Sequence, residues 1–289
     1  MNDFSPFVTP LHLTEVEPLA NGGQIEYEFF PIDLDVISCL LYYLCQERWQ
    51  DIGIGHMVDG SVLELEFKAP PKICKLYDGY LTVVTESWHL HLCIAENWGG
   101  PDRRTSLDQR QARLVSRAAL YRRFNPAGEP RSWGIQFWNG LGVKMMTFFL
   151  PNPFVGENED LLSERQPNLA KLQLYEELRG TYILGTRPLP YDRNPLTKRY
   201  ISVCRSSRCL PSRQYQPVYE ALQAAVEEAN LAEDVEVCVS GCLEVCKMGP
   251  VVFYSADRTW YTRVTPAVAK QIVQEHLVEG KPISKHVYP

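Results

Sequence analysis

Cysteine placement constrains this chain more than any other feature. Of nine cysteines, Cys39, Cys45, Cys74 and Cys93 are scattered, whereas Cys204, Cys209, Cys238, Cys242 and Cys246 fall within 43 residues. Four of these read C-x4-C, then 32 intervening residues, then C-x3-C. Each pair follows a short apolar run, Tyr200 to Val203 and Val235 to Val239, and between the runs Val218, Leu222, Val226 and Ala229 recur at helical spacing. Pro217 suits the first turn of that helix. Strand, helix, strand predicts a βαβ unit, whose two parallel strands end at one edge of the sheet. Both cysteine-bearing loops are therefore expected to leave from the same edge.

Composition permits such a unit and a second domain beside it. The chain has 289 residues, 45% hydrophobic and 22% charged, with prolines and glycines too dispersed for a low-complexity tract. Length leaves room for two cores. The net charge of -6 disfavours non-specific attraction to nucleic acid or to an anionic membrane. No run of about 18 apolar residues is present, so no transmembrane segment is expected. The opening MNDFSPFVTPLHLTEVEP lacks a basic and then apolar signal pattern. The expected location is cytoplasmic, where thiols stay reduced and a disulfide framework is disfavoured.

Four converging thiolates suit zinc or an iron–sulfur cluster. Structural zinc usually takes a tight C-x2-C knuckle, whereas these wider loops favour two irons bridged by sulfide; a reactive or merely structural set stays a third reading. Downstream, Val251 to Tyr254 and Trp260 to Val264 flank the turn Ser255-Ala256-Asp257-Arg258, and Pro266 opens a last helix through Val268, Ile272 and Leu277. βαβ followed by ββα is the thioredoxin-like order.

The segments SVCRSSRC, SGCLEVCKMGPVVFY, WYTRVTP and HLVEGKPI resemble the thioredoxin-like [2Fe-2S] ferredoxin family over Arg199 to Ile283. The C-x4-C spacing is also similar to that of the 24-kDa-type subunit of complex I and of NAD-linked hydrogenases. The resemblance implies an electron-transfer protein with a [2Fe-2S] cluster on Cys204, Cys209, Cys242 and Cys246. Two departures stand out. Leu243, Glu244 and Val245 replace the family's small residues between the last two cysteines, and Glu244 would lower the reduction potential. The extra Cys238 falls on the strand and is expected to be a small buried core residue.

Residues 1–196 resemble no characterised family. They include a Pro-rich connecting segment, 151–196, in which Leu169, Leu172, Tyr175, Leu178 and Tyr182 predict a helix; the boundary with the ferredoxin-like domain, 197–289, is placed near Asn194 to Lys198. Strands are expected over Gln24 to Phe30, Ser61 to Phe67 and Tyr80 to Ile94. Asp33 should cap a helix through Ile37, Leu41, Leu44 and Arg48, and Trp133 to Trp138 and Val143 to Leu150 should form a hairpin through Asn139-Gly140. The fold class expected is an α+β domain, mostly antiparallel sheet with helices on one side, followed by an α/β thioredoxin-like domain.

Two features here carry potential chemistry. In Trp88 to Ile94, His89, His91 and Cys93 alternate with Leu90 and Leu92, so a strand would aim two imidazoles to one side, where a second metal or haem could bind with His56 or His12 as a third ligand. The competing reading is a face on which both histidines are hydrogen-bonded structurally. Arg103 to Arg131 holds eight arginines against Asp108 and Glu129. A helix from Ser106 to Phe124 would put Arg110, Arg113 and Arg117 on one face, either merely solvated or docking an acidic redox partner. Dinucleotide, Walker A and nucleophile-elbow motifs are absent from the sequence. Three functions stay open: an electron carrier that docks a redox partner, as monomer or homodimer; a redox enzyme with metal or haem at His89/His91 fed by the cluster; and an iron- or oxygen-sensing regulator.

Overall fold

The computed structural model describes residues 13–58, 61–156, 161–162, 166–196, 199–205, 214–241, 243, 245 and 248–288. It is mixed α/β with antiparallel sheets and divides into two compact units. Unit 1 holds residues up to Asn97 together with Leu107–Leu196, and unit 2 holds Trp98–Ser106 with the chain from Thr197 onward.

Unit 1 begins with strands β1 (Thr14–Pro18) and β2 (Gln24–Phe29) and helix α1 (Leu34–Tyr42). The Asp33 carboxylate caps α1, accepting from the N–H groups of Asp35 (2.9 Å) and Val36 (3.2 Å). Next come β3 (Gly53–Val58), β4 (Ser61–Glu66), β5 (Ile73–Tyr77), β6 (Tyr80–Val84) and β7 (His89–Cys93), then the short hairpin β8 (Gly99–Gly100) and β9 (Arg103–Arg104), grouped with unit 2. Unit 1 resumes with α2 (Leu107–Arg113), β10 (Val115–Phe124), β11 (Pro130–Asn139), β12 (Lys144–Phe149) and α3 (Gln173–Leu178). Among the described residues, seven strands form one antiparallel sheet in the order β1-β2-β10-β11-β12-β3-β4, and three form a second, β5-β6-β7.

One core joins α1 and α3 to both sheets. Leu40, Leu41 and Leu44 meet Leu120, Ile135, Phe137 and Phe148 of the large sheet, Leu81, Val83 and Leu92 of the small one, and Leu174 and Leu178 of α3. A smaller cluster of Ile25, Tyr27, Ala119, Tyr121 and Trp138 covers the large sheet's other face, without helix residues. Strand alternation separates the two: Ala118 and Leu120 enter the first cluster, Ala119 and Tyr121 the second. Gly134 lies opposite Tyr121, and a Cβ there would come within 2.5 Å of that ring and of the Phe148 carbonyl oxygen.

Two expectations are corrected here. The helix from Ser106 stops at Arg113, and Val115–Phe124 is a central strand paired with β2 and β11. Burial on both faces and two ladders of backbone hydrogen bonds override the helical propensity of the segment. The single strand expected over Tyr80 to Ile94 is a hairpin, because Thr85 makes a turn: its hydroxyl donates to the Trp88 carbonyl (2.8 Å) and accepts from the N–H groups of Ser87 (3.3 Å) and Trp88 (3.1 Å). The Asn139 hairpin forms, with the Asn139 amide oxygen accepting from Leu141 and Val143 N–H.

Unit 2 contains β13 (Arg199–Cys204), α4 (Gln216–Glu228), β14 (Val235–Ser240), β15 (Val252–Tyr254), β16 (Thr259–Tyr261) and α5 (Pro266–Gln271), whose helical path continues through Val278. The sheet order is β14-β13-β15-β16; β13 and β14 are parallel and the other neighbours antiparallel. Ile201, Val203, Val252 and Tyr261 pack against Leu222 and Val226 of α4 and Ala269, Ile272 and Val273 of α5 and its extension. Buried His276 sits between the Tyr261 hydroxyl (2.8 Å) and the Asp257 carboxylate (2.7 Å), which satisfies the imidazole on both nitrogens.

The α1 cap makes a direct test of this account. Asp33→Ala should lower unfolding free energy by about 1 kcal/mol in urea denaturation of the full chain, while Asp33→Asn should retain most of it. An unchanged midpoint in the alanine variant would contradict the capping role.

Candidate functional site

Parallel pairing in unit 2 governs the cysteine-bearing edge. β13 and β14 run in register from Arg199↔Val235 to Cys204↔Ser240. Cys204 is the last residue of its strand, and Cys242 lies two residues beyond Ser240 in the sequence. The loop with the first cysteine pair and the loop with the second therefore start side by side. Their first residues are tied down: Arg205 N–H donates to the Ser240 carbonyl (3.0 Å) and Cys204 N–H to the Val251 carbonyl (3.0 Å). At the far end of the second loop, Arg263 N–H donates to Met248 O (2.8 Å) and Val264 N–H to Pro250 O (3.0 Å).

Cys204 is 6% exposed and clusters with buried Val245 and Val251, against which Leu243, Met248, Trp260 and Tyr288 pack. Cys209, Cys242, Glu244 and Cys246 lie outside the described residues. A cysteine sulfur held at a strand end in aliphatic, thioether and aromatic surroundings fits a soft metal centre, because thiolates prefer iron or zinc and an apolar shell keeps water from the donor. Cys238 lies on β14 opposite Ser202, as its position implies, but is half-buried because β14 is the sheet's edge strand.

The sheet face opposite α4 and α5 carries aromatics, with Phe253 against Trp260 (centroids 4.5 Å apart) and Tyr200 (5.8 Å). The β8–β9 hairpin belongs to this unit. Arg258 stacks on Trp98 (5.1 Å to the centroid) and Phe253 (5.9 Å), and the Tyr288 hydroxyl donates to Asp102 (2.7 Å). Sequence periodicity gave no sign of this, since a nine-residue excursion has no pattern of its own to read; its Trp98 and Gly99-Gly100 were the available signals.

In unit 1, His89 and His91 are exposed on β7 with ring centroids 5.3 Å apart. Leu90 and Leu92 point inward as alternation requires, but Cys93 is buried too, its thiol donating to the Ala95 carbonyl (3.3 Å). Burial pushes the Cys93 thiol up to about 11, against the opposing field of Arg113. His56 is on β3 of the other sheet, and His12 lies outside the described residues. Among the described residues, no group of three or more His, Cys, Asp or Glu is placed to hold a metal ion.

The three arginines do not share a helix face. Arg110 and Arg113 are on α2, whereas Arg117 is on β10. Arg110 lies 3.9 Å from Glu96, and Arg113 donates to the Asn97 side-chain oxygen (3.0 Å) beside the Tyr80 hydroxyl. Arg117 pairs with Glu15 and covers the Phe29 and Trp138 rings. An open cleft of about 530 Å³ adjoins this pair, lined by Leu13, Phe29, Pro31 and Ile32 among others. Its charged groups, Glu15 and Arg117, already neutralise each other. Among the described residues, no helix is long and apolar enough to cross a membrane.

These features describe a mixed α/β protein with a ferredoxin-like region. A 2Fe-2S ferredoxin of Aquifex aeolicus is 32% identical over 76 residues, 26% of this chain and 68% of that protein. One of Clostridium pasteurianum is 27% identical over 96 residues, 30% of this chain and 93% of that protein. The solved thioredoxin-like [2Fe-2S] ferredoxin of A. aeolicus aligns at 28% identity over 32% of this chain and 97% of its own, with a TM-score of 0.29. The model of DUF7676, a family of unknown function, matches residues 14–184, more than half of the sequence, and the chain belongs to that family.

Because exposed Arg113 ties α2 to the buried Asn97 side chain, Arg113→Ala should destabilise the full chain by about 1 kcal/mol in urea denaturation. Arg104→Ala, at an exposed position, should change it by less than about 0.5 kcal/mol. Equal effects would refute the anchoring role.

Proposed function

We propose that the protein transfers single electrons through a [2Fe-2S] cluster in its C-terminal unit, which we read as a thioredoxin-like ferredoxin domain with Cys204, Cys209, Cys242 and Cys246 as ligands. The observation that carries this reading is the parallel register of β13 with β14, which starts the C-x4-C and C-x3-C loops at one edge. Relatives named 2Fe-2S ferredoxins support it independently.

The cluster, when bound, supplies a one-electron couple. The chain's own part is to hold the donors and control their surroundings. β13 delivers Cys204 at a fixed strand end, and Val245, Val251, Met248 and Trp260 limit access of water to its sulfur. Low local polarity and backbone hydrogen bonding are the levers by which a protein sets such a potential. The aromatic row on the adjoining sheet face offers a packed route toward the surface at Trp98. The first unit, which belongs to DUF7676, is additional to the stand-alone ferredoxin relatives, and we read it as the part that adapts the carrier to its redox partner.

Purified anaerobically, the full chain should carry two irons and two acid-labile sulfides and give a paramagnetic signal after one-electron reduction. Serine at Cys204, Cys209, Cys242 or Cys246 should lose or destabilise the cluster, and Cys238→Ser should keep it. One zinc and no sulfide, or cluster loss in a folded Cys238→Ser protein, would overturn the assignment.

A further inference from the structure

A second metal site, independent of the cysteines, follows from the outer face of the small sheet. We propose that His89 and His91 form an exposed two-imidazole clamp for a borderline divalent cation, with zinc(II) the ion their spacing fits. They occupy positions i and i+2 of β7, so both side chains leave the same face. Zinc–nitrogen bonds of about 2.0–2.1 Å put a metal about 3.2 Å from each ring centre, and a tetrahedral angle then separates two rings by about 5.2 Å. The centroids are 5.3 Å apart.

The neighbouring strand prepares one of these ligands. β6 and β7 pair Thr82 with His91, and the Thr82 hydroxyl lies 3.0 Å from His91 Nδ1. The same hydroxyl lies 3.5 Å from the Tyr80 carbonyl oxygen, and in the clamp its oxygen accepts from Nδ1–H. This selects the tautomer whose Nε2 lone pair is available, in the way that outer partners commonly orient metal-bound histidine. The facing groups are Thr82 and Val84 on β6, with Lys75 of β5 one strand beyond Thr82. Two protein ligands leave the remaining coordination positions to water or to an incoming anion, which distinguishes this clamp from a closed structural site.

The test is a Zn(II) titration of the full chain with histidine side chains ¹⁵N-labelled, since imidazole resonances report this site whatever the thiols bind. One equivalent beyond saturation of the thiols should shift the His89 and His91 nitrogens together, and acidification below the ordinary histidine pKa of ~6.5 should reverse the shift. His89→Ala should abolish the His91 response. Thr82→Val, which keeps both imidazoles, should weaken binding at least ~10-fold. Unmoved His89 and His91 resonances at one equivalent beyond saturation of the thiols, or equal affinity in wild type and both variants, would overturn the clamp. Neither result bears on the cysteine site.

Discussion

The C-terminal unit depends on one pairing, the parallel ladder between β13 and β14. Two sequential strands can be parallel only if the chain crosses back between them, and α4 makes that crossing while burying Leu222 and Val226 against the sheet. The crossing places both strand ends at one edge, with Cys204 level with Ser240. β15 then adds on the other side of β13, and its approach through Val251 secures the Cys204 N–H. An antiparallel pairing would have sent the two cysteine loops to opposite ends of the sheet.

Unit 1 is organised around β10. Its middle is buried on both faces, and two of its three arginines are matched by acidic residues of β1 and β2. Arg122 lies directly opposite Glu26 and pairs with it at 2.9 Å, Arg117 pairs with Glu15, and Lys144 of β12 lies 3.7 Å from Glu17. Such exposed pairs each contribute at most about 1 kcal/mol. Glu28, 7% exposed, is a different case: Arg179 donates to both of its oxygens at 3.0 and 2.7 Å, which ties the end of α3 to β2 and leaves the carboxylate compensated. Within the arginine-rich stretch, Arg117 and Arg122 are thus the cross-strand complements of the acidic N-terminal strands.

Legibility in the sequence followed how local each determinant is. The βαβ order, the Asp33 cap and the Asn139 hairpin were readable because the residues responsible lie within a few positions of what they control. β10 was not, since its neighbours β2 and β11 decide its state and the segment's own propensity favours a helix. The β6–β7 turn was missed because a threonine hydroxyl makes it, where glycine, proline or asparagine would have announced it. With that turn undetected, the Thr82–His91 register could not be drawn, although the HxH alternation itself was plain. Of the cysteine site, spacing gave the four candidate donors, while the burial of Cys204 among Val245, Val251 and Trp260 required the tertiary structure.

The measurement that tests the central claim most directly is a reductive titration of the anaerobically purified full chain, followed by visible absorbance. Electron transfer through a [2Fe-2S] centre predicts a red-brown chromophore that bleaches reversibly with one electron per chain. A colourless protein, or uptake of two electrons through a thiol–disulfide couple, would contradict it.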